Sequence, residues 1–140
     1  RVDALLLVDT GPGYRSDEAR EAWNRTALRQ AEVLERDGEQ ALRGRSSEQA
    51  TAHHDDIVGL AYAARNMLTQ SSARVIDGLP QIAVPTLVVV GADDEPYLAA
   101  ADYMARKIPR ARKVVIPDAG HAVNLDQPEA FNRAVLDFLR

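Results

Sequence analysis

Short continuous runs of apolar residues divide this sequence. Ala4–Val8 and Pro85–Gly91 are the two main runs, and Lys113–Ile116 is a shorter run that ends before Pro117. Continuous β-branched and aliphatic runs of this length are typical of strands buried within a parallel sheet. The pattern therefore predicts an α/β protein with parallel strands joined by crossover helices.

In the segment between the first two runs, apolar residues recur at the three- and four-residue spacing of a helix. Ser16 is the expected N-cap of a helix that ends at Gly38, and a short helix is expected over Glu39–Leu42. Ser46 opens a Ser-x-x-Gln capping box, and Ile57–Leu68 carries the most regular three- and four-residue spacing in the chain. This segment is therefore predicted to be mainly helical.

The position of these helices predicts two parts of the molecule. Because the strands on either side of them are expected to be neighbours in one sheet, residues 14–72 are predicted to be an inserted helical lid, and residues 1–13 and 73–140 the α/β core. A lid commonly shapes a substrate pocket and excludes water. Three large side chains of the lid lie on or beside apolar stripes, which favours core packing over contact with substrate: Trp23, Tyr62 and Met67.

Acidic residues and a histidine follow the second and third strands. Asp93 and Asp94 come just after Gly91, and His121 lies in the turn after the third strand. A strand, crossover helix, strand unit is right-handed and parallel, so both strand ends face the same edge of the sheet. A carboxylate on one imidazole nitrogen leaves the other free to accept a proton. We therefore expect His121 to meet Asp94, with Asp93 as the alternative partner.

The same segments carry a resemblance to a known family. Four of them closely resemble the C-terminal half of an α/β-hydrolase: Val84–Asp94, Ile108-Pro109, Ile116–His121 and Pro128–Phe131. In that family the catalytic acid follows the glycine by three residues and the base directly follows a glycine, and Asp94 and His121 match those positions. The resemblance implies a partial α/β-hydrolase fold and a hydrolase, such as an esterase, that acts on a small-molecule ester, lactone or related carbonyl substrate. It also implies that Asp94 and His121 are the acid and the base of a catalytic triad.

The nucleophile of such a triad is not found in this sequence. The family's order is nucleophile, acid, then histidine, and no Gly-x-Ser-x-Gly occurs in these residues. The resemblance therefore implies a fragment whose nucleophile lies before Arg1, and the isolated chain is expected to be inactive. An Asp nucleophile upstream, as in the haloalkane dehalogenase and epoxide hydrolase branches, is an alternative.

Two non-enzymatic alternatives stay open. A non-catalytic fragment would self-associate or bind its missing N-terminal half through the open sheet edge at Ala4–Val8, since unpaired edges bind other strands. A small binding domain that shares only the pattern is the least favoured reading.

Three other features are interpreted as structural. Asp9 ends the first strand, where some members of this fold carry the triad acid, but a turn-capping role is favoured. Gly11–Gly13 is a poor dinucleotide fingerprint because Pro12 lacks an amide donor. His53–Asp56 are consecutive, and consecutive side chains on a helix diverge too widely to converge on a metal ion. No cofactor and no metal are therefore expected.

Composition narrows the possible partners and location. A chain of 140 residues can bury a core, and its net charge of −4 argues against nucleic acid or an anionic membrane as a partner. The absence of cysteine excludes disulfides and thiolate chemistry, and no apolar run approaches the roughly 20 residues that span a bilayer. A cytoplasmic location is expected. The start at Arg1, without an initiator Met or a signal peptide, indicates a cut end.

Overall fold

The computed structural model describes residues 1–42 and 56–140. Ser46 and its capping box, like His53 and Asp55, lie outside the described residues. The described chain contains three strands, six α-helices and two 3₁₀ segments, in this order: β1 (Leu5–Val8), α1 (Asp17–Asp37), a 3₁₀ segment (Gly38–Leu42), α2 (Ile57–Asn66), α3 (Arg74–Gly78), a 3₁₀ segment (Leu79–Gln81), β2 (Thr86–Gly91), α4 (Glu95–Lys107), β3 (Ala111–Ile116), α5 (Val123–Asp126) and α6 (Pro128–Leu139).

These elements form two compact units. One consists of Arg1–Pro12 with Asp77–Arg140, and the other of Gly13–Ile76. We call the first the sheet unit and the second the helical unit. The helical unit starts one residue before the predicted lid of residues 14–72 and ends four residues after it, within α3.

A parallel sheet in the order β1-β2-β3 lies at the centre of the sheet unit. All six residues of β2 are buried, which is the property that the continuous apolar run predicts. The third strand begins at Ala111, two residues before the predicted start at Lys113, because pairing with β2 starts where Ala111 aligns with Thr86. The charged residue Arg112, which precedes the predicted run, is thus part of the strand.

The two faces of this sheet are covered by different helices. One core cluster joins Leu87 and Val89 of β2 to Ile116, Ala119 and Val123, and Phe131 and Phe138 of α6 pack against it. The alternate residues Val88 and Val90 are also buried, and α4 packs against β2 and β3. The sheet is therefore held between α4 and α6, and the loops at its C-terminal edge start from a rigid base.

In the helical unit, α1 and α2 are capped by side chains. The Ser16 hydroxyl accepts a hydrogen bond from Ala19 N–H at 3.1 Å, and Gly38, with φ of 58°, ends α1, as predicted. The Asp56 carboxylate accepts a bond from Gly59 N–H at 3.0 Å and begins α2. The residues expected to form a short helix over Glu39–Leu42 lie in a 3₁₀ segment.

Small side chains form most of the core between α1 and α2. The cluster consists of Ala31, Leu34, Ala41, Ala61 and Ala64. The expectation of core packing is wrong for Tyr62 and Met67, which are 62% and 82% exposed. Tyr62 and Met67 are not among the side chains that pack on this cluster, and Met67 follows the last residue of α2. Trp23 is half-buried, and its indole N–H donates to the Leu68 carbonyl oxygen.

Within residues 1–42 and 56–140, we find no helix whose length and apolar character would let it cross a membrane.

Candidate active site

Asp94 and His121, the two predicted site residues, meet at the C-terminal edge of the sheet. Asp94 Oδ2 lies 2.9 Å from His121 Nδ1. The Asp94 side chain is 5% exposed and the imidazole 44% exposed, so the carboxylate is sequestered while the ring remains accessible. Asp93, the alternative partner, is exposed. Asp94 occupies the N-cap position of α4, but its side chain does not cap the helix and is directed to His121 instead.

A close backbone approach sets the position of the acid turn, which we define as residues 91–94. Ala92 N–H donates to Ile116 O and Asp93 N–H donates to Ala119 O, both at 2.9 Å. A Cβ atom added to Gly91 would lie 2.2 Å from Ala119 O, which is well inside van der Waals contact. Glycine is therefore required here by space, because the acid turn lies directly against the turn that carries His121.

The histidine turn, residues 117–122, is held by side chains that follow it. Gly120 N–H donates to Asp126 Oδ2 at 2.8 Å, and Gln127 Nε2 donates to the Asp118 carbonyl oxygen at 3.1 Å. Asp118 itself has a φ of 54°, a left-handed conformation that Asp tolerates better than most residues. The sequence did not indicate Asp126, because an acid a few residues after Gly120 is a weak signal.

Asp9 binds the backbone near both Asp94 and His121. Its Oδ1 accepts a hydrogen bond from Gly91 N–H at 3.0 Å, and its Oδ2 accepts one from Val123 N–H at 3.2 Å. The side chain is 7% exposed. Both carboxylate oxygens are thus bonded to amides, which does not match the alternative in which Asp9 is the partner of the histidine. A turn-capping role is the one favoured from the sequence, and in the structure Asp9 caps the start of the acid turn and the start of α5.

The electrostatics of Asp9 follow from its burial. Desolvation raises the pKa of Asp9, and the nearby Asp94 carboxylate adds to the rise, whereas the two amide hydrogen bonds and His121 oppose it. The residue also has a φ of 43°, so the chain leaves β1 in a left-handed conformation.

Tyr97 is a second neighbour of His121 that the sequence did not indicate. Its ring centroid lies 4.6 Å from that of the imidazole, with 31° between the ring planes. Its backbone N–H donates to the Asp94 carbonyl oxygen at 2.9 Å. Tyr97 thus contacts Asp94 through its backbone and His121 through its ring.

Metal ligands do not converge in the described ranges, 1–42 and 56–140. No group of three or more His, Asp or Glu side chains there could hold a metal ion. The chemistry that these residues offer is proton transfer at an imidazole oriented by a carboxylate.

Comparison with known proteins identifies the family of this chain. Residues 1–134 match the model of the family described as "Alpha/beta hydrolase family". The chain belongs to this family. The resemblance seen in the sequence and the prediction of a partial α/β-hydrolase fold are thereby confirmed.

Curated relatives match over most of this chain. A protein of Bacillus subtilis (strain 168), provisionally named as a 2-succinyl-6-hydroxy-2,4-cyclohexadiene-1-carboxylate synthase, is 30% identical in an alignment that covers 99% of this chain and 57% of that protein. A pimeloyl-[acyl-carrier protein] methyl ester esterase of Nitrosomonas europaea is 30% identical in an alignment that covers 94% of this chain and 59% of the esterase.

Solved structures also match over nearly the whole of this chain. A thermophilic esterase from Thermogutta terrifontis is 31% identical with a TM-score of 0.77, over 100% of this chain and 56% of that chain. MenH from S. aureus has a TM-score of 0.88 at 23% identity, over 99% and 59%, which is a likeness of fold. The chain therefore spans less than three fifths of the length of these relatives.

Proposed function

We propose that this chain supplies the acid and the base of a nucleophile–His–acid triad in a hydrolase that acts on an ester, lactone or related carbonyl substrate. The observation that carries the proposal is the 2.9 Å contact between Asp94 Oδ2 and His121 Nδ1. Similarity to two esterases at 30% and 31% identity supports the substrate class. The nucleophile would come from sequence outside these 140 residues, which contain no Gly-x-Ser-x-Gly.

The proposed mechanism follows from the contact at Nδ1. A carboxylate there holds the neutral ring with its proton on Nδ1, so that Nε2 accepts the proton of the nucleophile's hydroxyl as that oxygen attacks the substrate carbonyl. His121 then donates this proton to the leaving alcohol, and the acyl group stays on the nucleophile. In the second half, Nε2 takes a proton from water, which attacks the acyl group, and returns it to the nucleophile's oxygen. Asp94 remains ionised and stabilises the imidazolium.

With an upstream Asp nucleophile, His121 would have a narrower role. The Asp carboxylate needs no deprotonation to attack, so the histidine would only activate the water that hydrolyses the covalent ester. The two branches therefore differ in the step that fails when the imidazole is removed.

We test the triad with His121→Ala and Asp94→Asn in the protein with its complete natural sequence. On a chromogenic carboxylic ester, we expect kcat/KM to fall by about 10³-fold or more for each variant. Asp93→Asn removes a neighbouring exposed carboxylate and is the matched control, expected to remain within about twofold of wild type. Substantial ester hydrolysis by His121→Ala would refute the proposal.

Intact mass measurement of His121→Ala distinguishes the two branches. With an Asp nucleophile, the variant is expected to accumulate a covalent ester with a haloalkane or epoxide substrate, because only the second step is lost. With a Ser nucleophile, the first step is lost as well and no adduct should accumulate.

We also propose that β1 pairs with a further strand. It is the edge strand of the described sheet, and its four apolar residues are only half-buried, although each neighbouring residue of β2 is fully buried. In the isolated chain this edge would bind a second copy or the missing N-terminal half. Light scattering that shows a monodisperse monomer at high concentration would contradict this.

The role of residues 14–72 as a lid and the cytoplasmic location stay predictions.

A further inference from the structure

Three polypeptide segments meet at the carboxylate of Asp9. They are the end of β1, which carries Asp9 itself, the start of the acid turn at Gly91, and the start of α5 at Val123. Gly91 precedes Asp94 by three residues, and Val123 follows His121 by two. Each oxygen of one side chain is therefore bonded to the backbone next to one member of the proposed acid and base pair.

From this we infer that Asp9 is a positioning residue, which fixes the separation of Asp94 and His121 by binding the backbone beside each of them. The inference rests on the proposed function, since it concerns the same pair. Both hydrogen bonds are buried, so water cannot replace Asp9 as their acceptor.

Only a carboxylate can make this pair of bonds at position 9. Gly91 and Val123 both present N–H donors, and a carboxylate has two acceptor oxygens. An asparagine of the same shape would accept one bond through its oxygen and turn its NH₂ group toward the other donor. Two donors facing each other repel, so Asp9→Asn would displace either the acid turn or the start of α5.

Displacement of either segment would act on the pair directly. The contact between Asp94 Oδ2 and His121 Nδ1 tolerates little change, because a hydrogen bond weakens steeply as its distance and angle depart from ideal. A misplacement of about 1 Å at a catalytic group can cost about 10²-fold in rate. The expected consequence is a loss in kcat rather than in substrate binding.

The test is Asp9→Asn in the protein with its complete natural sequence, assayed on the chromogenic ester. We expect kcat to fall by about 10- to 100-fold while KM stays within about threefold. The proton on His121 Nδ1, which resonates far downfield when bonded to a carboxylate, should shift upfield or disappear. A merely structural role would lower the yield of folded protein and leave both the kcat of the folded fraction and this resonance unchanged.

Asp118→Asn is the matched control. Asp118, like Asp9, is a non-glycine residue with positive φ close to the site, but it is exposed. Asparagine tolerates this backbone conformation as well as aspartate does. Asp118→Asn should therefore leave kcat and the Nδ1 proton unchanged, and a loss equal to that of Asp9→Asn would overturn the inference.

A pH titration of the wild-type protein, followed by NMR, tests the inference without any variant that must fold. If one carboxylate binds both amides, the amide proton shifts of Gly91 and Val123 should change together with pH, with one common midpoint. Because burial raises the pKa of Asp9, that midpoint should lie above the usual range of an aspartate. Independent midpoints, or amides that do not titrate, would overturn the inference.

The failure of this inference can be told from the failure of the proposed function. If His121→Ala and Asp94→Asn are inactive but Asp9→Asn has wild-type kcat, the pair is catalytic and Asp9 does not position it. If His121→Ala retains activity, the proposed function fails, and the inference fails with it.

Discussion

The sheet unit and the helical unit differ in the size of the side chains that they bury. The largest fully buried side chains of the described residues all lie in the sheet unit, among them Leu87, Met104 and Ile108. The core of the helical unit consists of four alanines and Leu34, while Val58, Tyr62 and Met67 are more than half exposed. Large side chains that interlock hold the elements that carry them in one arrangement. In the helical unit the contact is made mostly by alanines, and several large side chains lie on the surface.

The two units also differ in their buried polar groups. Within residues 1–42 and 56–140, the buried polar side chains are Asp9, Thr86 and Asp94, and all three belong to the sheet unit. The ion pair that joins α1 to α2, between Glu35 and Arg65, is partly exposed. A buried carboxylate is costly unless it is bonded, so its position is tightly specified. The buried carboxylates of the sheet unit are therefore held in specified positions, whereas the described residues of the helical unit include no buried polar side chain.

The largest expected effect comes from Gly91→Ala, which breaks the sheet unit at its most crowded point. The added Cβ would meet the carbonyl oxygens of Ala119 and Gly120 at 2.2 and 2.3 Å, so the two turns must separate. We expect the free energy of unfolding to fall by about 3 kcal/mol or more, measured by urea denaturation.

Gly78→Ala is the control for this glycine. Gly78 has helical φ and ψ of −80° and −12°, and beyond its own helix no atom of the described residues lies within 4 Å of an added Cβ. We expect it to be neutral or to stabilise by up to about 1 kcal/mol. If both variants unfold alike, the close approach of the two turns is not the reason for glycine at position 91.

An intermediate effect is expected from overpacking the helical unit. Ala61 is 1% exposed in the contact between α1 and α2, so Ala61→Leu must separate the helices, at a cost of about 1–3 kcal/mol in unfolding free energy. Tyr62→Ala removes a large side chain on the exposed side of the same helix and should change stability by less than about 0.5 kcal/mol. A larger loss for Tyr62→Ala would mean that the exposed side chains, rather than the alanines, stabilise this unit.

The smallest effect is expected from the ring beside His121. Tyr97→Leu removes an aromatic contact of the kind that contributes about 0.5–1.5 kcal/mol, and we expect kcat for ester hydrolysis to fall by about 2- to 10-fold. Tyr97→Phe keeps the ring and should retain most of the activity. A full loss in Tyr97→Phe would show that the hydroxyl, rather than the ring, is what the site requires.

Local chemistry is the reason why much of this protein could be predicted from sequence. The central strand was evident because its apolar run is buried on both faces, and α1 was evident because Ser16 and Gly38 mark its ends. Asp94 and His121 were found by the rule that parallel strands end at one edge of a sheet. Each of these inferences uses residues that are close in sequence or elements joined by one crossover.

Tertiary contacts decided what the sequence did not. The roles of Asp9 and Tyr97 depend on which atoms face them, and Asp9 binds amides that lie 82 and 114 residues away. Tyr62 and Met67 are not among the side chains that pack on the core between α1 and α2, which the spacing within one helix does not encode. The sequence alone therefore determined the three strands and α1 and brought Asp94 together with His121, because these depend on local spacing. Only the tertiary structure decided what holds that pair in place, because hydrogen bonds between distant segments form when the chain is folded.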